Sequence, residues 1–120
     1  MQLRTAPFLA LLAMFAAMVA IGALPGQADA LSAQFGDKSL HVAAYAVMGV
    51  LANQSISGPR TARALASLIF VASLGLLDES IQSFLPYRNA SLIDWCFDIG
   101  AAFTASSIFW LRAGAIRKTP

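Results

Sequence analysis

The side chains able to do chemistry are gathered in two short blocks. The first, "GDKSLHVAAY" (36–45), spaces Asp37, His41 and Tyr45 by four residues, so a helix would stack the three polar heads along one face. Lys38 falls in the same first turn, beside the positive end of the helix macrodipole, where a cation snorkels to water or takes an anionic partner. The second block is "LLDESIQSFLPYRNASLIDWCFDIG" (76–100). Glu79 and Gln82 share a helical face, while Asp78 is rotated from them by about 100°. Glu79 is therefore assigned to the interior and Asp78 to solvent or the head-group zone. Both acids stand near the end of an apolar segment, where the macrodipole disfavours anions, and a Lys38–Glu79 pair would neutralise two misplaced charges at once. Arg88 follows Pro86. Ser91 to Asp94 resembles a capping box, and Asp98, one turn deeper, should face a polar interior, because an acid at membrane depth costs roughly 3 kcal/mol or more otherwise.

Three kinds of function suit such a set. In a binding site, Lys38 and Arg88 would contact a phosphate or carboxylate, with Tyr45, Glu79 and Asp94 fixing their positions. In an enzyme, His41 would be general base or nucleophile, oriented by Glu79 or Asp94, in phosphoryl or acyl transfer; His41 and Glu79 are the catalytic candidates. In a structural role, the charges would close one end of a bundle for assembly with a second copy or a membrane partner. A metal site from His41, Glu79, Asp94 and Asp98 is stoichiometrically allowed, but one histidine with scattered carboxylates is a weak signal. No P-loop, Gly-rich dinucleotide turn or HExxH occurs, so no cofactor and no metal is expected.

These residues need elements to hold them, and composition says which. Of 120 residues, 58% are hydrophobic and 12% charged, about half the charge of an ordinary soluble domain. That balance cannot cover a water-facing surface, so a bilayer is the expected solvent. The net charge of +2, with no basic cluster interleaved with aromatics, gives no reason to expect nucleic acid. The lone Cys96 cannot form an intramolecular disulfide.

Four apolar runs predict one all-α domain over 1–120, an integral membrane bundle of four transmembrane helices near 7–24, 39–54, 62–84 and 92–111. "SGPR" and Pro86 mark turns, and Trp95 and Trp110 suit the two interfaces of the last helix. Small residues at Gly49, Ala52, Ala72, Gly75, Gly100, Ala101 and Ala105 would let helices approach closely. Arg4, an apolar run and "ADA" at 28–30 also fit a cleaved secretory signal, but the run exceeds the usual length of a signal core and retention is expected.

Four spans put Arg4, Arg60, Arg63, Arg112, Arg117 and Lys118 on one side, and Lys38 and Arg88 on the other. The positive-inside rule then places both termini in the cytoplasm, N-in/C-in. Every acid (Asp29, Asp37, Asp78, Glu79, Asp94, Asp98) and His41 fall at or near the opposite, outer side. Acids contribute little to topology, so their segregation points to use of that face.

The two blocks together resemble the VanZ-like family of small bacterial membrane proteins, named after a teicoplanin-resistance protein. The family pattern of D-K-x-x-H-x-x-x-Y, then D-E-x-x-Q, an arginine after a proline, and a serine-to-aspartate step falls on Asp37, Lys38, His41 and Tyr45, then Asp78, Glu79, Gln82, Arg88, Ser91, Asp94 and Gly100. The match spans the second to fourth helices. It implies a four-helix bundle in a bacterial inner membrane, a link to glycopeptide tolerance at the cell envelope, and a membrane lipid or lipid-linked envelope intermediate as partner. One position departs from the pattern: similar proteins usually have asparagine at Asp98. An added acid there calls for a cation such as Arg88 or Lys38, or a proton of its own.

Overall fold

The computed structural model describes residues 1–117, except the side chains of Ala28, Ser32, Phe35 and Asp37. Its order is β1 (Gln2–Leu3), α1 (Thr5–Ala23), α2 (Gln27–Phe35), α3 (Asp37–Ser55), β2 (Ile56–Ser57), α4 (Arg60–Ser83) and α5 (Leu92–Ile116). The all-α expectation is met, with additions: α2 occupies a stretch read as a connection, and β1 and β2 form a two-residue antiparallel pairing. That pairing, with the Arg4 amide donating to the Ser55 carbonyl at 2.6 Å, ties the start of the chain to the α3–α4 turn.

Three helices, α1, α4 and α5, are long and apolar enough to cross a membrane. The fourth expected span, α3, has 19 residues, enough for about 28 Å at 1.5 Å per residue. Its two ends are polar, with Asp37, Lys38 and His41 at one and Asn53 and Gln54 at the other. Much of the exterior is apolar: Leu9, Leu12, Val47, Leu65, Ile69, Leu76, Phe103 and Leu111 are all exposed. A helix that turns such side chains outward is suited to lipid, where apolar exposure carries no penalty.

On α3, α4 and α5 the inner face is a stripe of buried positions, whereas α1 buries only Leu11. On α4 it is Ser67, Val71, Leu74, Gly75, Asp78, Glu79 and Gln82, and on α5 Asp94, Asp98, Ala101, Ala102, Ala105 and Ser106. Both repeat at three- and four-residue steps, the mark of a helix with one packed face. On α3 the buried set runs His41, Tyr45, Met48, Gly49, Ala52, Asn53 and Ser55. The stripes meet around Leu11, Tyr45, Met48, Ala52, Val71, Leu74, Ala101 and Ala102. Small residues set the α3–α5 spacing, since a Cβ on Gly49 would lie 2.9 Å from the Ala105 Cβ. Gly100, expected in that role, is exposed and a Cβ there would meet nothing within 4 Å. Its carbonyl accepts from Thr104 Oγ1 at 2.9 Å, and it belongs to the outer side of α5.

Each stripe turns polar at one end of the bundle. Chain direction brings the starts of α3 and α5 and the finish of α4 to that end. The opposite end holds the β1–β2 pairing and Arg60, whose guanidinium lies 4.0 Å from the Trp110 ring centroid. A polar clamp sits on that side of the core, with Asn53 Nδ2 donating to Ser106 Oγ at 3.0 Å.

Candidate functional site: a buried charge cluster beside an amphipathic cavity

Asp94 lies in the first turn of α5, where the helix dipole favours an anion. It accepts a hydrogen bond from Lys38 Nζ in the first turn of α3. The lysine side chain is 47% exposed and the aspartate only 6%, so the ammonium reaches inward from the rim, where it also lies 5.9 Å from the Phe97 ring centroid. Lys38 thus spans to α5, and the expected pairing with Glu79 is replaced. The rotation of α5 about its axis decides this, because it aims Asp94 at the lysine.

Glu79 has another task. Its Oε2 accepts the backbone N–H of Ser91 at 2.7 Å. Ser91 caps α5, its Oγ accepting from the amides of Ile93 and Asp94 at 3.2 and 3.4 Å. Half of the expected capping box is present. The reciprocal arm comes from Glu79 on α4 in place of Asp94, and so fastens two helices together.

One turn deeper, His41 Nδ1 lies 2.7 Å from Asp98 Oδ1, both side chains buried. The partner of Asp98 is therefore the histidine on α3, where Lys38 or Arg88 had been expected. The Asp98 Oδ2 atom faces α4, 3.1 Å from where a Cβ on Gly75 would stand. Glu79 follows Gly75 by one turn on the same stripe. A larger residue at Gly75 would crowd the Asp98 carboxylate and the Trp95 ring.

Asp78 is the clearest correction. It is 6% exposed, not turned to solvent, and its Oδ2 accepts from the Tyr45 hydroxyl at 3.2 Å. The Tyr45 ring stacks parallel to that of His41, with centroids 6.0 Å apart. Gln82 is buried on the same stripe. Asp37 belongs to the expected set, but its side chain lies outside the described residues, as does Lys118.

Beside the cluster is a cavity of about 320 Å³ between α1, α2, α3 and α4. One wall is apolar, formed by Met14, Met18, Ile21, Leu31 and Leu40 among others; the polar part is His41, Asp78, Gln82 and Arg88. Arg88 is held in the α4–α5 loop, which is secured by the Tyr87 hydroxyl donating to the Ala23 carbonyl at the end of α1. The guanidinium passes close over Gly22, 3.9 Å from the position a Cβ would take. Among the described residues no carboxylate lies within ion-pair distance of it. A half-buried arginine without an acid, next to a long apolar wall, is the unusual feature of this region.

Sequence reasoning missed the contribution of α1 and α2 to this cavity. Neither carries a chemical side chain into it; the apolar run of α1 was the one signal, and α2 offered none. No family model, curated protein or solved structure matches the chain.

Proposed function

We propose that this chain is a small bacterial inner-membrane protein that binds an anionic amphiphile at the outer face. The head group, a phosphate of a membrane lipid or of a lipid-linked envelope intermediate, is held by Arg88 with Gln82 and His41. The hydrocarbon lies along Met14, Met18, Ile21, Leu31 and Leu40. The observation that carries this reading is the Arg88 guanidinium, which among the described residues has no carboxylate within ion-pair distance, in a cavity it shares with His41, Asp78 and Gln82 and whose other lining is mostly apolar. Arginine matches phosphate by paired, charge-assisted hydrogen bonds, and an apolar wall of this kind matches an acyl or prenyl chain.

The membrane setting is supported by three apolar helices of spanning length. On this reading α3 is a fourth span, shielded by its neighbours, and both termini are cytoplasmic because Arg4, Arg60, Arg63, Arg112 and Arg117 lie on the side away from the acids. The D-K-x-x-H-x-x-x-Y and D-E-x-x-Q blocks support a VanZ-like assignment, with its link to glycopeptide tolerance.

The test is lipid binding to purified protein in detergent, read by native mass spectrometry with phosphatidylglycerol, a polyprenyl phosphate and neutral diacylglycerol. The two phosphate lipids are retained and the neutral one is not. Arg88→Ala weakens retention of both by roughly tenfold or more, as expected for loss of a charge-assisted pair. Equal retention of diacylglycerol, or unchanged binding by Arg88→Ala, refutes the reading.

The His41–Asp98 contact favours one second reading, in which His41 is a general base positioned by Asp98 for transfer chemistry on the bound head group. The two separate on His41→Gln, in which glutamine can still hydrogen-bond the head group: a binding protein keeps much of its lipid retention and its cellular phenotype, whereas an enzyme retains lipid to the same extent and loses the phenotype.

A further inference from the structure

We infer that His41, Glu79 and Asp98 form a binding site for one divalent transition-metal ion of the Zn²⁺ type, set in the bundle beneath the Lys38–Asp94 pair. Each of the three residues offers a ligand atom, and these atoms lie within 4.8 Å of one another; all three residues are buried. They come from three different helices, α3, α4 and α5, so an ion there would tie the bundle together at its polar end.

Two further observations point to an ion. Glu79 Oε1 and Asp98 Oδ2 are buried oxygens that have no hydrogen-bond partner among the described residues, on residues 5% and 0% exposed. A buried carboxylate oxygen left unpaired is costly, and a metal bond is a contact that removes the cost. The charge balance has the same sign. Four buried acids, Asp78, Glu79, Asp94 and Asp98, gather at this end, where Lys38 pairs with Asp94. A divalent ion would offset part of their negative charge and needs His41 neutral in order to bind.

The donor set selects the class of ion. One imidazole nitrogen and two carboxylate oxygens suit a first-row divalent ion with bonds of about 2.0–2.2 Å. Ca²⁺ would require six to eight oxygens. Three protein ligands leave a coordination position open, as in catalytic zinc sites. His41 is shared with the cavity wall, so the ion would stand next to the proposed head-group position. The ion site itself does not depend on that proposal.

The experiment uses the full chain, purified in detergent and stripped with chelator, titrated with Zn²⁺ by calorimetry and with Co²⁺ by visible absorption. One ion binds per chain, and X-ray absorption of the Zn²⁺ form shows one imidazole with oxygen ligands. Asp98→Asn, Glu79→Gln and His41→Ala each weaken binding roughly tenfold or more. Cys96→Ser, which removes an exposed thiol, leaves it unchanged, as does Arg88→Ala, which weakens lipid retention only. Absence of binding by the wild type, a sulfur ligand in the absorption spectrum, or full affinity in folded Asp98→Asn overturns the site. Should the ligand variants not fold, the wild-type stoichiometry and ligand spectrum decide alone.

Discussion

Tyr45 shows how single residues hold the polar end together. Its hydroxyl donates to Asp78, a carboxylate whose burial would otherwise be a liability, and a hydrogen bond to a charged group contributes about 1.5–3 kcal/mol. Tyr45→Phe is therefore expected to lower stability by roughly that amount, measurable as a fall in melting temperature in detergent. Lys38→Met removes the cation facing Asp94; with the lysine half exposed, the loss is smaller than for a fully buried pair, roughly 1–2 kcal/mol. The double variant Lys38→Met with Asp94→Leu should recover part of it, and a loss equal to the sum of the singles would show that the two side chains do not interact. The candidate residues were legible from their types and four-residue spacing. Their pairings were not. Asp78 was turned outward by treating the inner face of α4 as one line of side chains. The buried stripe is two columns wide, and Asp78 continues the column of Leu74 while Glu79 continues that of Gly75. The partner of Lys38 likewise depends on how α4 and α5 are rotated against α3, which no local pattern encodes.

At the level of elements, close packing of α3 on α5 fixes the distances in the cluster, because Lys38–Asp94 and His41–Asp98 both cross that contact. Gly49 lies on it, and Gly49→Val would press against Ala105 and Ala102, costing about 1–3 kcal/mol by overpacking. Gly100→Ala on the outer side of the same helix meets nothing and should be neutral or slightly stabilising, since alanine is the better helix former. Thermal melts of the two variants compare them directly; equal destabilisation would mean that the contact runs along another face of α5. Helix positions were readable from the apolar runs, and the start of α5 from its serine cap. The short helix α2 was not, because "QADALSAQF" lacks both the length of a span and a strong apolar stripe, and its role is to cover the cavity.

Across the whole molecule, Arg4 and Arg60 lie at one end, with the β1–β2 pairing, and the buried acids at the other, together with Lys38 and Arg88, in a body 56 Å long and about 21–24 Å in its other extents. In the proposed orientation the acid end faces outward. A single cysteine introduced at Asn89, in a Cys96→Ser background, should react with an impermeant thiol reagent added to intact spheroplasts, while one at Arg117 should not. The reverse pattern would invert the topology. Composition pointed to helices apolar enough to cross a membrane, and charge placement to the two ends, but the cavity arises only when α1 and α2 are laid against α3 and α4. The account as a whole rests on Arg88 meeting a phosphate there. Solid-state NMR dephasing between guanidinium-¹⁵N-labelled arginine and the ³¹P of co-purified or added phosphatidylglycerol measures that contact. The account predicts contact-range coupling in the wild type that disappears in Arg88→Lys, although the charge is kept; coupling that persists in Arg88→Lys, or none in lipid-bound wild type, would contradict it.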